Sequence, residues 1–195
     1  MNEWWVRSPT NGPSQTPSPS MRSTSEPRTL IVLSGLPGTG KTTIARELVA
    51  RAPSVYLRID AIEHALKTAS GRTDDVGPAG YVVAYALARS NLALGMSVVA
   101  DCVNPLSVTR EAWRAVATET SSHLVEVEVV CSDVVEHRRR VENREADIAG
   151  FALPSWEAVL RHDYEAWGTS RLVIDSALVS TSEAADLIWR RMHER

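Results

Sequence analysis

A glycine-rich segment at residues 35–43 constrains this chain more than any other feature of its sequence. It reads GLPGTGKTT, fits the pattern G-x-x-x-x-G-K-[ST], follows the apolar run Leu30–Leu33 and opens the amphipathic stretch Thr42–Arg51. Glycines let successive backbone N–H groups turn towards an anion, and the N-terminus of the following helix carries partial positive charge. A strand, this loop and a helix in that order predict a phosphate-binding loop, or P-loop.

The loop residues predict the cofactors ATP and Mg²⁺. The Lys41 ammonium is suited to the β- and γ-phosphates, and the Thr42 hydroxyl to Mg²⁺. The chain has no N-K-x-D sequence of the kind that reads guanine, which disfavours GTP. The predicted nucleotide-binding residues are Gly35, Leu36, Pro37, Gly38, Thr39, Gly40, Lys41, Thr42 and Thr43.

Short apolar runs alternate with amphipathic stretches along the rest of the chain. The predicted strands are Leu30–Leu33, Val55–Ile59, Ser97–Asp101, Leu124–Val130 and Leu172–Asp175. The predicted helices are Thr42–Arg51, Tyr81–Leu94, Val108–Thr118, Val134–Arg144, Ser155–Trp167 and Ser182–His193. This alternation predicts an α/β fold: a three-layer α/β/α sandwich with a five-stranded parallel sheet.

Length and charge limit the remaining possibilities. The 195 residues suit one domain, with residues 1–27 predicted as a disordered Pro/Ser/Thr-rich tail and 28–195 as the folded domain. A net charge of −3 argues against general affinity for nucleic acid. The absence of a long apolar stretch or signal-peptide pattern predicts a soluble, cytoplasmic protein. Cys102 and Cys131 lack metal-site spacing and are expected as buried, reduced thiols.

Asp60 follows the second apolar run and is expected at the carboxyl edge of the sheet, where open α/β folds bind ligands. A carboxylate there can accept the proton of an attacking hydroxyl group, as a kinase requires. Aspartate is also a favoured N-cap, so Asp60 could instead cap a helix that begins at Ala61. The residues alone leave both interpretations open.

Asp101 ends the third predicted strand after two β-branched residues and is expected at the same edge. It could hold Mg²⁺ opposite Thr42 or contact the acceptor. For Asn104, just beyond, ordinary turn chemistry and a substrate contact remain open.

The densest basic cluster lies between residues 138 and 144 and predicts a short helical lid at about 133–154. Arg140 and Arg144 would stand one turn apart on one helix face and could stabilise charge on a transferring phosphoryl group. Arg138 and Arg139 are expected on a solvated face, paired to Glu136, Glu142 and Glu145. His137 and His162 are expected at the surface.

The order of these motifs resembles that of small bacterial P-loop kinase-like ATPases of AAA type. The chain is similar in this respect to the kinase half of phage polynucleotide kinase, to chloramphenicol phosphotransferase and to zeta-toxin-like kinases, over about residues 29–177. The resemblance implies a nucleoside-monophosphate-kinase-like fold. It also implies that Asp60 activates the acceptor hydroxyl, that Arg140 is the lid arginine with Arg144 beyond it, and that Lys41 and Thr42 bind phosphate and magnesium.

One position departs from the pattern. Polynucleotide kinases have an arginine three residues after the base, where it holds the phosphate of the acceptor, and here that position is Glu63. A carboxylate would repel an anionic acceptor. The departure therefore favours a neutral or cationic acceptor over a nucleic acid.

These features predict an ATP- and Mg²⁺-dependent kinase that phosphorylates a hydroxyl group of a small molecule, such as a metabolite or an antibiotic. Its predicted catalytic residues are Asp60, Lys41, Arg140 and Arg144, and its predicted metal ligands are Thr42 and Asp101. Two alternatives remain open. One is a polynucleotide 5′-hydroxyl kinase, and the other is an ATP-binding switch or antitoxin-like module without a phosphoryl acceptor.

Overall fold

The computed structural model describes residues 28–71 and 76–194. Its strands are β1 Thr29–Ser34, β2 Ser54–Arg58, β3 Ser97–Asp101, β4 His123–Val130 and β5 Leu172–Asp175. They form one parallel sheet in the order β2-β3-β1-β4-β5. The predicted five-stranded parallel sheet is confirmed, and the tail predicted at residues 1–27 lies outside the described residues.

Helices follow the strands in the order that parallel crossovers require. Those of the described residues are α1 Lys41–Arg51, α2 Ile59–Ser70, α3 Ala79–Ala93, α4 Ser107–Glu119, α5 Val134–Glu142, α6 Trp156–Leu160 and α7 Thr181–His193. Most predicted helices lie within a few residues of these bounds. Two helices differ from the prediction. Helix α2 was not among the predicted amphipathic stretches, and α6 is much shorter than the predicted helix over 155–167.

Alternate residues of β1 face opposite sides of the sheet. Leu30 and Val32 belong to a core with α3 and α4, whereas Ile31 and Leu33 belong to a core with α1 and α7. All four side chains are at most 2% exposed. A strand buried on both faces reads as a continuous apolar run, which is why the sequence identified it.

The two cysteines agree with the sequence-based expectation. Cys102 and Cys131 are both buried and unpaired thiols. Among the described residues, no helix combines the length and apolar character needed to span a lipid bilayer.

Arg110 of α4 binds the chain that follows α6. Its side chain is buried, and its guanidinium carbon lies 4.2 Å from the ring centroid of Trp167. The guanidinium donates to four backbone oxygens at distances of 2.8 to 3.2 Å, those of Asn104, Pro105, Glu165 and Ala166. Because these bonds direct the carbonyl groups at 165 and 166 towards α4, the chain does not continue as a helix there.

We expect Arg110→Met to lower the free energy of unfolding by about 3 kcal/mol, since a buried acceptor that loses its donor costs roughly 1–3 kcal/mol. Urea denaturation would measure the change. Arg138→Met is the matched control, because Arg138 is 56% exposed and pairs with Glu142 on its own helix. Its effect should stay below about 1 kcal/mol. Equal losses in the two variants would contradict the structural role of Arg110.

Candidate active site

The P-loop joins β1 to α1 and lies directly on the carboxyl ends of neighbouring strands. The backbone N–H of Gly35 donates to the Val103 carbonyl oxygen at 3.0 Å. A Cβ atom on Gly35 would lie 2.2 Å from the carbonyl oxygen of Val129, so only glycine fits there. Gly40 precedes α1 with a φ of 94°, a left-handed conformation that glycine adopts without strain.

Lys41 is the first residue of α1, and its side chain curls back over the loop. Its side chain is buried, and its ammonium donates to the carbonyl oxygen of Leu36 at 2.8 Å. Burial lowers the pKa of Lys41, while the neighbouring carboxylates of Asp101 and Asp60 oppose that shift. The ammonium group is therefore held at the centre of the loop, where an anion would restore the solvation that it has lost.

Thr42 and Asp101 meet at the opening of the loop. The Thr42 hydroxyl donates to Asp101 Oδ2 at 2.7 Å, and the Tyr56 hydroxyl donates to the same oxygen at 2.8 Å. Burial, followed by the charge of Asp101, raises the pKa of Tyr56, so its hydroxyl group remains a donor. A hydroxyl and a carboxylate beside an open cavity are oxygen ligands of the kind that Mg²⁺ takes, and the donor set fits this ion.

Asp60 occupies the second position of α2 and does not cap it. The helix begins at Ile59 after Arg58, and no side chain caps its first turn. The alternative interpretation, in which Asp60 caps a helix starting at Ala61, is therefore wrong, because the helix starts two residues earlier. The Asp60 side chain is 34% exposed, and its Oδ2 atom lies 3.7 Å from Arg58 Nη2.

Arg140 and Arg144 both face the P-loop, although not as predicted. Arg140 donates to the Ser176 hydroxyl at 2.9 Å and to Glu136 at 2.7 Å, which orients its guanidinium. Because α5 ends at Glu142, Arg144 lies beyond the helix, and the prediction that the two arginines share a helix face is wrong. Arg144 makes no ion pair with any described residue, whereas Arg138 and Arg139 pair with Glu142 and Glu136 on the solvated face, as predicted.

A cavity of about 390 Å³ brings the predicted side chains together. The predicted catalytic and metal-binding residues all line it: Lys41, Thr42, Asp60, Asp101, Arg140 and Arg144. Further lining comes from the lid segment, our name for residues 143–155 between α5 and α6, through Glu145, Asp147, Phe151 and Pro154. Phosphate-binding, carboxylate and arginine groups thus converge on one space.

The structure also adds charged residues that the sequence analysis did not single out. Asp147 of the lid segment accepts hydrogen bonds from Arg46 of α1 and, at 2.7 Å, from Arg58 at the end of β2. These bonds, with Arg58 as the main cause, lower the pKa of Asp147 to about 2. Because the pKa is lower in the folded state, the ion pair stabilises this arrangement above a pH of about 4 and is lost as the pH falls towards 2.

His137 corrects another expectation, since it is buried rather than on the surface. Its Nε2 atom lies 2.8 Å from the carbonyl oxygen of Pro37, and its ring meets Trp156 edge to face. His137 therefore ties α5 to the P-loop. His162 is exposed, as expected.

Two further positions lie away from the cavity. Glu63 packs against Gly80, where a Cβ atom would come within 2.3 Å of Glu63 Cγ, and it is not among the described residues that line the cavity. Asn104 is fully buried with a φ of 50°, and its amide donates to the Ser34 hydroxyl at 3.0 Å. A substrate contact by Asn104 is therefore not supported.

The parallel sheet, the P-loop and the helices around them define a protein with a P-loop kinase-like fold. Within that class the chain belongs to the AAA domain family, whose profile matches residues 30–160. No curated protein matches its sequence. The relationship to phage polynucleotide kinase and zeta-toxin-like kinases stays a prediction.

Solved structures with low sequence identity share the fold. A candidate kinase from Chloroflexus aurantiacus has a TM-score of 0.69 and 20% identity, covering 87% of this chain and 98% of that chain. The APS kinase of Mycobacterium tuberculosis, in complex with AMPPNP and APS, has a TM-score of 0.61 and 18% identity, covering 86% of this chain and 99% of that chain. A gluconokinase from Sinorhizobium meliloti has a TM-score of 0.57 and 20% identity, covering 87% and 93%.

The two lysines of the chain offer a direct test of the P-loop. ATP should slow reductive methylation of Lys41 at least about fivefold, because phosphate groups would cover its ammonium, and should leave Lys67 unaffected. AMP, which lacks the β- and γ-phosphates, should protect neither. Mass spectrometry of tryptic peptides resolves the two sites. Equal modification of Lys41 with and without ATP would argue against phosphate binding by the loop.

The variant Tyr56→Phe tests whether the Tyr56 hydroxyl holds Asp101, the predicted metal ligand, in place. Without the hydroxyl donor, Asp101 is held by fewer bonds, and the Mg²⁺ concentration needed for tight ATP binding should rise about tenfold. Calorimetric titration of ATP at varied Mg²⁺ concentration measures the effect. Tyr85→Phe is the control, because Tyr85 donates to the Thr109 carbonyl oxygen outside the cavity lining. A similar change in both variants would contradict a role for Tyr56.

Proposed function

We propose that this protein is an ATP- and Mg²⁺-dependent phosphotransferase that moves the γ-phosphoryl group of ATP to a hydroxyl group of a small molecule. The observation that carries the proposal is the convergence of Lys41, Asp60, Asp101, Arg140 and Arg144 on one cavity. A nucleotide-binding loop alone would suit many activities. A second carboxylate, together with Arg140 of α5 and Arg144 of the lid segment, matches the needs of phosphoryl transfer.

The P-loop side of the cavity would bind the phosphates. Backbone N–H groups of the loop and the Lys41 ammonium would hold the β- and γ-phosphates, and Thr42 and Asp101 would hold Mg²⁺. The bound ion would neutralise charge on the phosphate oxygens. Arg140 is already oriented by Ser176 and Glu136, so little side-chain entropy would be lost when its guanidinium meets a phosphoryl oxygen.

The Asp60 carboxylate would accept the proton of the acceptor hydroxyl as that oxygen bonds to the γ-phosphorus. The bond between the γ-phosphorus and its bridging oxygen would break, and ADP would leave with that oxygen. Asp60 stands at the carboxyl edge of the sheet near Asp101, because β2 and β3 pair in register as far as Arg58 and Asp101. Its exposure of 34% leaves the carboxylate open to a ligand in the cavity.

The size of the cavity supports a small acceptor. About 390 Å³ lies at the lower end of the range for small-molecule pockets, and the phosphates of ATP would share this space. Glu63 lies outside the described lining, so its carboxylate would not face an acceptor in the cavity. The cavity is lined by both arginines and carboxylates, so polar groups of either charge on an acceptor would find a partner there.

An acceptor screen with Asp60→Asn tests the proposal. Small hydroxyl compounds, together with a 5′-hydroxyl oligonucleotide, would be incubated with labelled ATP, and transfer of label would identify the acceptor. In Asp60→Asn, kcat for that acceptor should fall at least about 100-fold, because the amide cannot accept the proton. The Kd for ATP should change less than about threefold.

Asp163→Asn is the matched control, since Asp163 is exposed and outside the cavity lining. Normal turnover by Asp60→Asn would contradict its role as the base. Transfer to the oligonucleotide alone would favour the polynucleotide kinase alternative. ATP binding without transfer to any acceptor would favour a nucleotide-dependent switch.

A further inference from the structure

Arg58 lies between two carboxylates that have different places in the fold. Its Nη1 atom donates to Asp147 of the lid segment at 2.7 Å, and its Nη2 atom lies 3.7 Å from Asp60 Oδ2, beyond a hydrogen bond. One guanidinium therefore faces both the carboxylate proposed as the base and a carboxylate on the cover of the cavity.

The guanidinium is only partly satisfied in this arrangement. Arg58 is 7% exposed, and its Nε and Nη2 atoms are buried without a hydrogen-bond partner among the described residues. A buried donor without a partner costs roughly 1–3 kcal/mol, and more when it is charged. Nη2 already lies close to Asp60. A small side-chain movement would therefore let Nε and Nη2, the unpartnered edge of the guanidinium, bind that carboxylate.

Two residues, Asp147 and Phe151, hold the lid segment to the other side of the cavity. Asp147 binds Arg46 and Arg58, and the Phe151 ring packs edge to face on His64 of α2, with centroids 6.1 Å apart. The segment thus crosses from the end of α5 to α2. Of these contacts, the pair of Asp147 with Arg58 involves a charged group that also faces Asp60.

We propose that Asp147 and Arg58 are positioning residues that couple the lid segment to Asp60: Asp147 holds the Arg58 fork when the segment covers the cavity, and Arg58 binds Asp60 when Asp147 is withdrawn. This inference rests on the proposed role of Asp60 as the base. A carboxylate engaged by an arginine fork has its lone pairs occupied and accepts a hydroxyl proton poorly. The base is then available only while the segment excludes water from the cavity, which suppresses ATP hydrolysis.

A double-mutant comparison separates this coupling from simple anchoring of the segment. Asp147→Asn should lower kcat at least about tenfold, with less than twofold change in the KM for ATP, because Arg58 then binds Asp60. Adding Arg58→Met should raise kcat above that of Asp147→Asn alone, since it frees the base. If Asp147 only anchored the segment, loss of Arg58 would bring no recovery, and such a result would overturn the proposal.

Glu142→Gln is the matched control. Glu142 pairs with Arg138 at the end of α5, just before the lid segment, and lies outside the described cavity lining. Its kcat and KM should remain within about twofold of those of the unmodified protein. A loss comparable to that of Asp147→Asn would overturn the proposal, because it would show that any charge change near the segment suffices.

A spectroscopic measurement needs no catalysis and decides the coupling even if Arg58→Met fails to fold. In ¹⁵N-arginine-labelled full-length protein, the Arg58 Nε–Hε resonance is assigned by its disappearance in Arg58→Lys. In Asp147→Asn it should move downfield and exchange more slowly, because Nε gains Asp60 as an acceptor. The downfield shift of the Arg58 resonance should vanish in the double variant that carries both Asp147→Asn and Asp60→Asn. An unchanged resonance in Asp147→Asn would overturn the coupling. If no compound in the acceptor screen received label from ATP, only the kinase proposal would be rejected.

Discussion

The close approach of Gly35 to the sheet is the constraint on which the site depends. Its N–H bonds the carbonyl of Val103 beyond β3, and its Cα lies against the carbonyl of Val129 in β4, where no side chain fits. This packing fixes where the P-loop begins relative to the ends of three strands. Lys41 and Thr42 therefore stand opposite Asp101, because the loop and that strand end are held to the same part of the sheet.

Much of this arrangement follows from local sequence. Residues buried on both faces produce the apolar runs that identify β1 and β3, and a parallel sheet brings their carboxyl ends to one edge. Asp60 and Asp101 could be predicted as neighbours on that basis alone. The limits of α2 could not, because a preference for aspartate at an N-cap does not decide between starts two residues apart.

Contacts between distant residues are what the sequence does not reveal. Arg58 and Asp147 are 89 positions apart, and each alone resembles an ordinary surface charge. His137 lies in a run of charged residues, yet its ring is buried because α5 packs over the P-loop. Arg110 similarly holds residues 165 and 166 in a non-helical path, through carbonyl groups more than 50 positions away. In each case, tertiary packing overrides the local pattern.

The bond between His137 and Pro37 also determines how the cavity can open. Val141, Trp156 and Val159 form a small core with Leu36 of the P-loop, so α5 and α6 are packed onto the P-loop. The lid segment is therefore a strap tethered at both ends to one rigid body. Such a strap can bow outwards but cannot swing away as a hinged domain does. Its length sets the widest aperture, and so limits the bulk of any molecule that enters beside Asp60.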